Sequence, residues 1–442
     1  MALWTDVAKT DYTHFVTIAI VHEIFFPSIN GVITSAISLA RQLEARGHRV
    51  IFIAPAWRAY SGAKLVEIEV EYVPSIPAGV YPGIRLTWPF SHRVVQVLRR
   101  HGVDVVHLTA QGTLSWSCLW AARRLGLPVV STLHTLIFKD EYLEYGLRLL
   151  GLNLGSGLGS VEKREWRARR KCVAGREGWV KGRVRAMLRN GAWTLICRFL
   201  EASDIVTAPS RYVCRIIERH CPGITPVYLP NCVSLAAAGG DGIGHADGRE
   251  AAEKTFVYVG RLAAEKSLDV LLEGFYQAWQ QDMELRLVVV GDGPQAAVYR
   301  RQAARLWAEE LDFVENDFEN GAVRFTGRLS HAELLKSGLL QGAQALVTAS
   351  TTENQPMSVL EATLVGLPVI VPDVDGINEL VDGNGSLFPA GDAEALAAKM
   401  LRMAGNDDFF KMCSARAREL GGRYSDHLAA ASYEQLILNQ MM

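Results

Sequence analysis

The chain has 442 residues, of which 49% are hydrophobic and 21% charged, with a formal net charge of −1. A length of this order predicts two or three domains with sizeable buried cores. No apolar run approaches the roughly 18 to 20 residues needed to cross a bilayer, and the N-terminus lacks the basic, apolar and small-residue regions of a cleaved leader. An uncleaved cytoplasmic protein is therefore expected. The seven cysteines (118, 172, 197, 214, 221, 232 and 413) are odd in number and show no C-x-x-C pair or zinc spacing, which predicts reduced thiols and no metal.

The first predicted strand is the apolar run Phe15 to Val21, followed by the loop Phe26-Pro27-Ser28-Ile29-Asn30-Gly31. Apolar residues at 33, 36, 37, 40 and 43 predict a helix from Val32 to Arg46, with Gly47 ending it. Short apolar strands follow at Val50 to Ala54, Val105 to Leu108, Val129 to Leu133, Ile205 to Ala208 and Val227 to Leu229. Helices such as Trp116 to Leu125 fall between them, and the alternation predicts a doubly wound α/β domain over residues 1–233.

Inside that domain, residues 161–200 hold 12 Lys or Arg against 3 Glu. Lys181, Arg185 and Arg189 recur every four positions, and Val180, Val184, Leu188 and Leu195 recur at helical steps, with Trp166, Trp179 and Trp193 interleaved. A basic amphipathic segment over 160–200 suits an anionic lipid surface. The same apolar stripe also suits packing on the protein core. Nucleic acid is not the expected partner, because no recognised binding motif accompanies the charge.

Residues 234–253 are glycine-rich with little apolar content and read as a flexible linker. The α/β pattern then restarts: strand Thr255 to Val259, helix Leu268 to Gln280, strand Leu285 to Val290, strand Val323 to Thr326, strand Ala345 to Ser350, helix Val359 to Leu364 and strand Val369 to Val371. A second doubly wound domain is predicted over 254–415. A helical tail over 416–442, with Leu428, Ala431, Tyr433 and Leu436, is placed to pack across both domains.

Two constellations in the second domain carry chemistry. Glu353 and Glu361 stand eight residues apart around a Pro356-Met357-Ser358 turn, the first in a loop after a strand and the second in the opening of a helix. Glu353 can accept hydrogen bonds from sugar hydroxyls and Glu361 can chelate a ribose diol, while the amides of Met357, Ser358 and Val359 face an anion. Such βαβ units bind ligands beyond the carboxyl ends of their strands. The same residues also suit an ordinary surface loop with an acidic helix start. The second constellation, Val259-Gly260-Arg261 through Glu265-Lys266, offers a close backbone approach at Gly260 and two cations five residues apart, a seat for a diphosphate. An exposed turn with unrelated cations is its alternative. Asp373-Val374-Asp375 is read as a turn rather than a metal site, and Gly291-Asp292-Gly293 lacks the full dinucleotide fingerprint.

In order and spacing these pieces resemble the GT-B glycosyltransferases of family 4 over nearly the whole chain. The matching residues are Pro27-Ser28-Ile29-Asn30-Gly31-Val32 with Ser35 and Leu39-Ala40, His134-Thr135, Pro209-Ser210, Pro230-Asn231, Gly260-Arg261-Leu262 with Glu265-Lys266, Gly291-Asp292-Gly293-Pro294, and Glu353 to Glu361. The resemblance implies two Rossmann-like domains facing across a cleft, a C-terminal helix crossing back to the first domain, and retaining, metal-independent transfer of a hexose from a nucleotide diphosphate sugar. It assigns Arg261 and Lys266 to the diphosphate, Glu361 to the ribose, Glu353 to the transferred sugar, Gly31 to clearance of the diphosphate, and His134 to the reacting sugar.

The stretch after His134, Thr135-Leu136-Ile137-Phe138-Lys139-Asp140-Glu141-Tyr142, is similar to α-glucosyl-diacylglycerol synthases, and Asn30-Gly31 resembles bacterial enzymes that glycosylate membrane lipids. With the basic segment, this implies a lipid acceptor and a protein peripheral to the inner face of the cell membrane. Asn354-Gln355-Pro356-Met357 departs from the Gly-Phe-Gly of many relatives, which leaves the donor sugar open. A soluble family 4 enzyme acting on a polysaccharide or small acceptor is the alternative, followed by a sugar-nucleotide epimerase and a non-catalytic carbohydrate binder.

Overall fold

The computed structural model describes residues 15–25, 31–57, 68–78, 85–134, 190–234, 254–307 and 321–441. Two compact units emerge: one contains the described residues up to 134 with 190–233 and 425–441, the other residues 234–424.

The first unit holds a seven-stranded, all-parallel sheet of β1 (Thr17–Val21), β2 (Arg49–Pro55), β3 (Glu69–Val73), β6 (Val105–Leu108), β7 (Val129–Thr132), β8 (Ile205–Ala208) and β9 (Val227–Tyr228), in the order β3-β2-β1-β6-β7-β8-β9. A small antiparallel ribbon pairs β4 (Ser75–Pro77) with β5 (Arg85–Thr87). Parallel strands covered on both faces must be apolar on both, and β1 shows why. Ile18 and Ile20 face α1 (Gly31–Ala45) and the C-terminal helix, whereas Ala19 and Val21 face α2 (His92–Arg100), α3 (Thr113–Leu125), α4 (residues 190–201) and α5 (Arg211–His220). Ile33, Ala36, Ala40 and Leu43 form the buried stripe of α1. Gly47 follows at φ +96°, a left-handed turn that suits glycine.

The second unit repeats the plan with β10 (Thr255–Val259), β11 (Arg286–Val290), β12 (Val323–Gly327), β13 (Ala345–Val347), β14 (Val369–Pro372) and β15 (Gly385–Phe388), all parallel, in the order β12-β11-β10-β13-β14-β15. Its helices are α6 (Leu268–Trp279), α7 (Ala296–Trp307), α8 (His331–Lys336), α9 (Leu339–Gly342), α10 (Met357–Leu364), α11 (Ala393–Gly405) and α12 (Asp407–Gly421). Phe256, Phe275, Leu396 and Met400 lie at the centre of its core. Each sheet reverses its strand order once, between β1 and β6 and between β10 and β13, and ligands of open α/β sheets bind at such reversals.

Three expectations are corrected. Cys197 and Cys221 form a disulfide, their Cα atoms 5.3 Å apart, so this pair is not reduced; α4 and the end of α5 bring the two together, which sequence spacing does not reveal. Cys118, Cys214, Cys232 and Cys413 are free and buried. Trp193, grouped with the lipid-facing residues, is a core residue only 7% exposed and stacked on His220 at 4.3 Å, while Leu195 of the expected apolar stripe is 59% exposed. The remainder of the basic segment up to residue 189, and the glycine-rich stretch 235–253, lie outside the described residues.

The C-terminal helix α13 spans Asp426–Met441 and packs on α1, within the first unit. Gln42 donates to Asp426 at 2.9 Å, and Glu434 receives Arg46 Nε at 2.7 Å and His48 Nε2 at 2.9 Å. Residues 416–421, expected in this tail, belong instead to α12 of the second unit. No described helix is long and apolar enough to cross a membrane.

Candidate active site

In the second unit, the strand reversal places the loop after β10 beside the loop after β13. Gly260 closes β10, its N–H donating to Val290 O at 3.0 Å. A Cβ at Gly291, φ +143°, would stand 1.8 Å from Gly260 O, so glycine at 291 permits the two strand ends to converge. A short 3-10 turn, Ala264–Lys266, follows, and Ser267 sits beyond it at φ +48°, a left-handed conformation that is strained for a side-chain-bearing residue. Ser350 Oγ donates to Glu265 O at 3.4 Å, and the Thr351 N–H reaches the same oxygen at 3.4 Å. These bonds bring together residues far apart in the chain: Lys266 forms an ion pair with Glu353, both side chains mostly shielded.

Arg261 pairs with Glu265, one helical turn on. Met357, Ser358 and Val359 open α10, whose N-terminal position is held by Pro356 with no side-chain cap. The Val359 N–H turns back to Pro356 O at 3.2 Å, so the amides left for other acceptors are those of Met357 and Ser358. Glu361 lies in the second turn of α10, its side chain 7% exposed and its Oε1 3.2 Å from His331 Nδ1. The partner of Glu361 escapes sequence reasoning, because His331 begins α8, fixed by a Ser330–Glu333 capping box thirty residues upstream of Glu361. Gly376, φ +96°, supports the loop from below: a Cβ there would meet Glu353 O at 2.6 Å. Asp373 accepts from Asn378 Nδ2 at 2.9 Å in the turn that carries Gly376.

The first unit gathers a different set at its own strand reversal. Gly31 is the first residue of α1 and is exposed. His134 follows β7 and is half-buried; burial pulls its pKa from 6.5 down to about 4, against an Asn231 hydrogen bond that acts to raise it. Two buried histidines, His22 after β1 and His107 on β6, are lowered to about 3 by burial and then by the nearness of His134.

Thr109 Oγ1 donates to Val21 O at 2.7 Å and so receives His22 Nδ1–H at 2.6 Å, which fixes that tautomer. His107 Nε2 meets Thr132 Oγ1 at 2.8 Å, and Thr132 meets Thr207 at 2.6 Å. A cavity of about 20 Å³, bounded in part by His107, Thr109, His134 and Asn231, has room for one water molecule. Glu23, also buried, accepts from the Ser115 and Leu114 amides at the start of α3; its pKa is raised by desolvation against those hydrogen bonds. His22, Glu23 and His107 were absent from the sequence reading. Their signal was position alone, on or just beyond a strand that flanks a reversal.

Two Rossmann-like sheets with polar clusters at their reversals are the GT-B plan. The chain is a GT-B glycosyltransferase of family 4: residues 29–237 match the Glycosyltransferase Family 4 domain and residues 253–406 the Glycosyl transferases group 1 domain. It is 23% identical to the alpha-monoglucosyldiacylglycerol synthase of Streptococcus pneumoniae over 367 residues, covering 81% of this chain and 71% of that protein. The enzyme of the same description from Acholeplasma laidlawii is 26% identical over 440 residues, 96% of each chain. Among solved structures, Anabaena Alr3699/HepE in complex with UDP and glucose superposes with a TM-score of 0.65 at 18% identity, covering 96% of this chain and 100% of that one.

Proposed function

We propose that the protein is a retaining hexosyltransferase that moves a sugar, most simply from a UDP-linked donor, to a membrane lipid such as diacylglycerol or a glycolipid, without a metal ion. The observation that carries the donor half of this reading is the Lys266–Glu353 pair beside the uncapped start of α10. In the free protein Lys266 and Glu353 satisfy one another. With donor bound, Lys266 and Arg261 turn to the diphosphate, Glu353 to the hydroxyls of the sugar, and Glu361 to the ribose. Gly260 and the amides of Met357 and Ser358 complete the cradle, the Val359 amide being held by Pro356 O.

The acceptor hydroxyl attacks the anomeric carbon from the side on which the diphosphate departs. The bond to the phosphate oxygen breaks as the new glycosidic bond forms, and that oxygen takes the acceptor proton. Fixed cations and amides stabilise the charge that builds there. His134 serves as a neutral hydrogen-bonding group toward the transferred sugar, in keeping with its lowered pKa. Gly31 keeps the start of α1 free of a side chain near the diphosphate.

The lipid acceptor is supported by the names of the two bacterial relatives, and the UDP donor by the ligand of HepE. Thermal-shift titration with UDP, GDP and their hexose conjugates tests the donor, and mass analysis of products formed with diacylglycerol in detergent micelles tests the acceptor. Stabilisation by a UDP-sugar with a hexosyl-lipid product is the expected result. Transfer only to water-soluble saccharides would overturn the lipid reading, and products with inverted anomeric configuration would overturn the mechanism.

A further inference from the structure

We infer that the outer face of the β4–β5 ribbon, with Trp88 and Phe90, docks the protein on an anionic bilayer. Ten large apolar side chains are exposed among the described residues, and four of them lie between residues 76 and 90: Ile76 at 65%, Leu86 at 42%, Trp88 at 81% and Phe90 at 56%. Scattered apolar residues are ordinary on a surface, whereas a cluster marks an interaction site.

The cluster is built by the strand register. Ile76 and Leu86 are direct cross-strand partners, and alternation along β5 turns Arg85 and Thr87 inward while Leu86 and Trp88 point out. The inner face is anchored. Arg85 donates to Ser75 Oγ at 2.7 Å and to Ser75 O at 2.8 Å, Thr87 N–H reaches Thr113 Oγ1 at 2.9 Å, and Ser117 Oγ donates to Trp88 O at 3.0 Å. Phe90 is held at φ +60°, an unfavourable conformation for an aromatic residue, and places its ring edge-on to Trp120 at 5.9 Å. A fixed frame thus presents apolar side chains to solvent at a conformational cost.

Charge selects the occupant. Between Glu71 and Asp104 the sequence has four arginines and no acidic residue. Arg93, Arg99 and Arg100 line the exposed face of α2, the helix that follows Phe90, and Arg124 lies over Trp120, 5.6 Å from its ring centre. Arg100 pairs with Glu71; Arg93, Arg99 and Arg124 make no ion pair with any described residue. An apolar centre with tryptophan and a cationic margin fits acyl chains rimmed by anionic headgroups. The inference rests on the lipid-acceptor reading for the choice of a bilayer over a second protein chain.

Co-sedimentation of the full chain with vesicles of phosphatidylcholine, with and without phosphatidylglycerol, tests it. The protein is expected to bind the mixed vesicles, and to bind them less as salt rises. The double change Leu86→Ser with Trp88→Ser, and separately Arg93→Glu with Arg124→Glu, each lower the partition coefficient about tenfold. Because these positions are exposed, the melting temperature and UDP-sugar binding stay as in the parent. Brominated lipid quenches a fluorescence component that Trp88→Phe removes. No binding to mixed vesicles, or undiminished binding by both double variants, overturns the inference, as does light scattering in which Trp88→Ser dissociates a dimer. Transfer in detergent micelles reports on the acceptor separately: vesicle binding by this face without transfer to any lipid sustains the docking surface and sinks the acceptor assignment.

Discussion

The two sheets share one topology and place opposite electrostatics at their strand reversals. The first unit buries neutral groups there: His22 and His107 are shut away from water and cannot hold a proton near neutral pH. The second unit keeps its groups charged, partly wet and paired, Lys266 with Glu353 and Arg261 with Glu265. The difference follows from what each can afford to desolvate. A buried charge is costly unless matched, so the groups we assign to a diphosphate stay near water in exchangeable ion pairs, whereas hydrogen bonding to an uncharged hydroxyl is compatible with a dry imidazole.

Lys266→Ala should show the largest effect, lowering kcat/KM by about 2 to 4 kcal/mol as for loss of an oxyanion-stabilising donor. Steady-state kinetics at saturating acceptor check it; near-parental rates would mean that the charged cluster does not meet the leaving group. Gly376→Ala comes next: a left-handed glycine and a 2.6 Å approach to Glu353 O are both violated, so about 1 to 3 kcal/mol of stability is lost and the donor weakens as the Glu353 loop shifts. Differential scanning calorimetry with donor titration reads both.

Glu361→Ala should raise the donor KM and lower turnover by about 1 to 3 kcal/mol in kcat/KM, the usual cost of a lost charged hydrogen bond. His331→Ala separates the contributions, because it removes the partner of Glu361 and keeps the carboxylate. A Glu361→Ala enzyme with unchanged donor KM would remove the ribose assignment.

The neutral cluster makes a prediction in pH. His22 and His107 have folded pKa values of about 3 against 6.5 unfolded, so between those values the unfolded chain binds protons that the folded one refuses. Stability is therefore fully present above about pH 6.5 and falls as pH drops, by about 1.4 kcal/mol per buried histidine at pH 5.5. Burial would raise the Glu434 carboxyl, but hydrogen bonds from His48 and Arg46 hold it low, and its loss begins only below about pH 5. Melting curves from pH 7 to about 5.5 read His22, His107 and the likewise lowered His134 together, against Glu23, whose raised carboxyl acts in the opposite direction, and His107→Gln should flatten the dependence; an unchanged slope would show that His107 is not among the groups titrating. The smallest effect belongs to Asp373→Ala, which frees Asn378 and should cost about 1 kcal/mol without changing turnover. Lost activity restored by a divalent cation would contradict the turn.

Much of both sheets was legible before any coordinates. β1, β2, β10 and β14 are apolar in their interiors, β6 and β8 are apolar but for His107 and Thr207, and α1 carries a clear helical stripe, so local pattern specified them to within a residue or two. β3, with the sequence Glu-Val-Glu-Tyr-Val, was missed because it is an edge strand with acidic residues on one side. The basic stripe misled at its described end, since periodicity marks an apolar face without saying what covers it, and Trp193 turned to the core. The ribbon that presents Trp88 had no signal at all. Its strands are three residues long, too short for any period to register.

By itself, the sequence determined two α/β units and the chemical types of the groups we assign to donor binding, because strand periodicity, glycine placement and charge are local properties of the chain. Which groups meet was decided only by tertiary structure. Lys266 joins Glu353, His331 joins Glu361, Cys197 joins Cys221, and the buried His22 and His107 gather beside the half-buried His134. Parallel sheets bring their strand ends together through long crossovers, so partners at a strand reversal are fixed by topology and not by spacing along the chain.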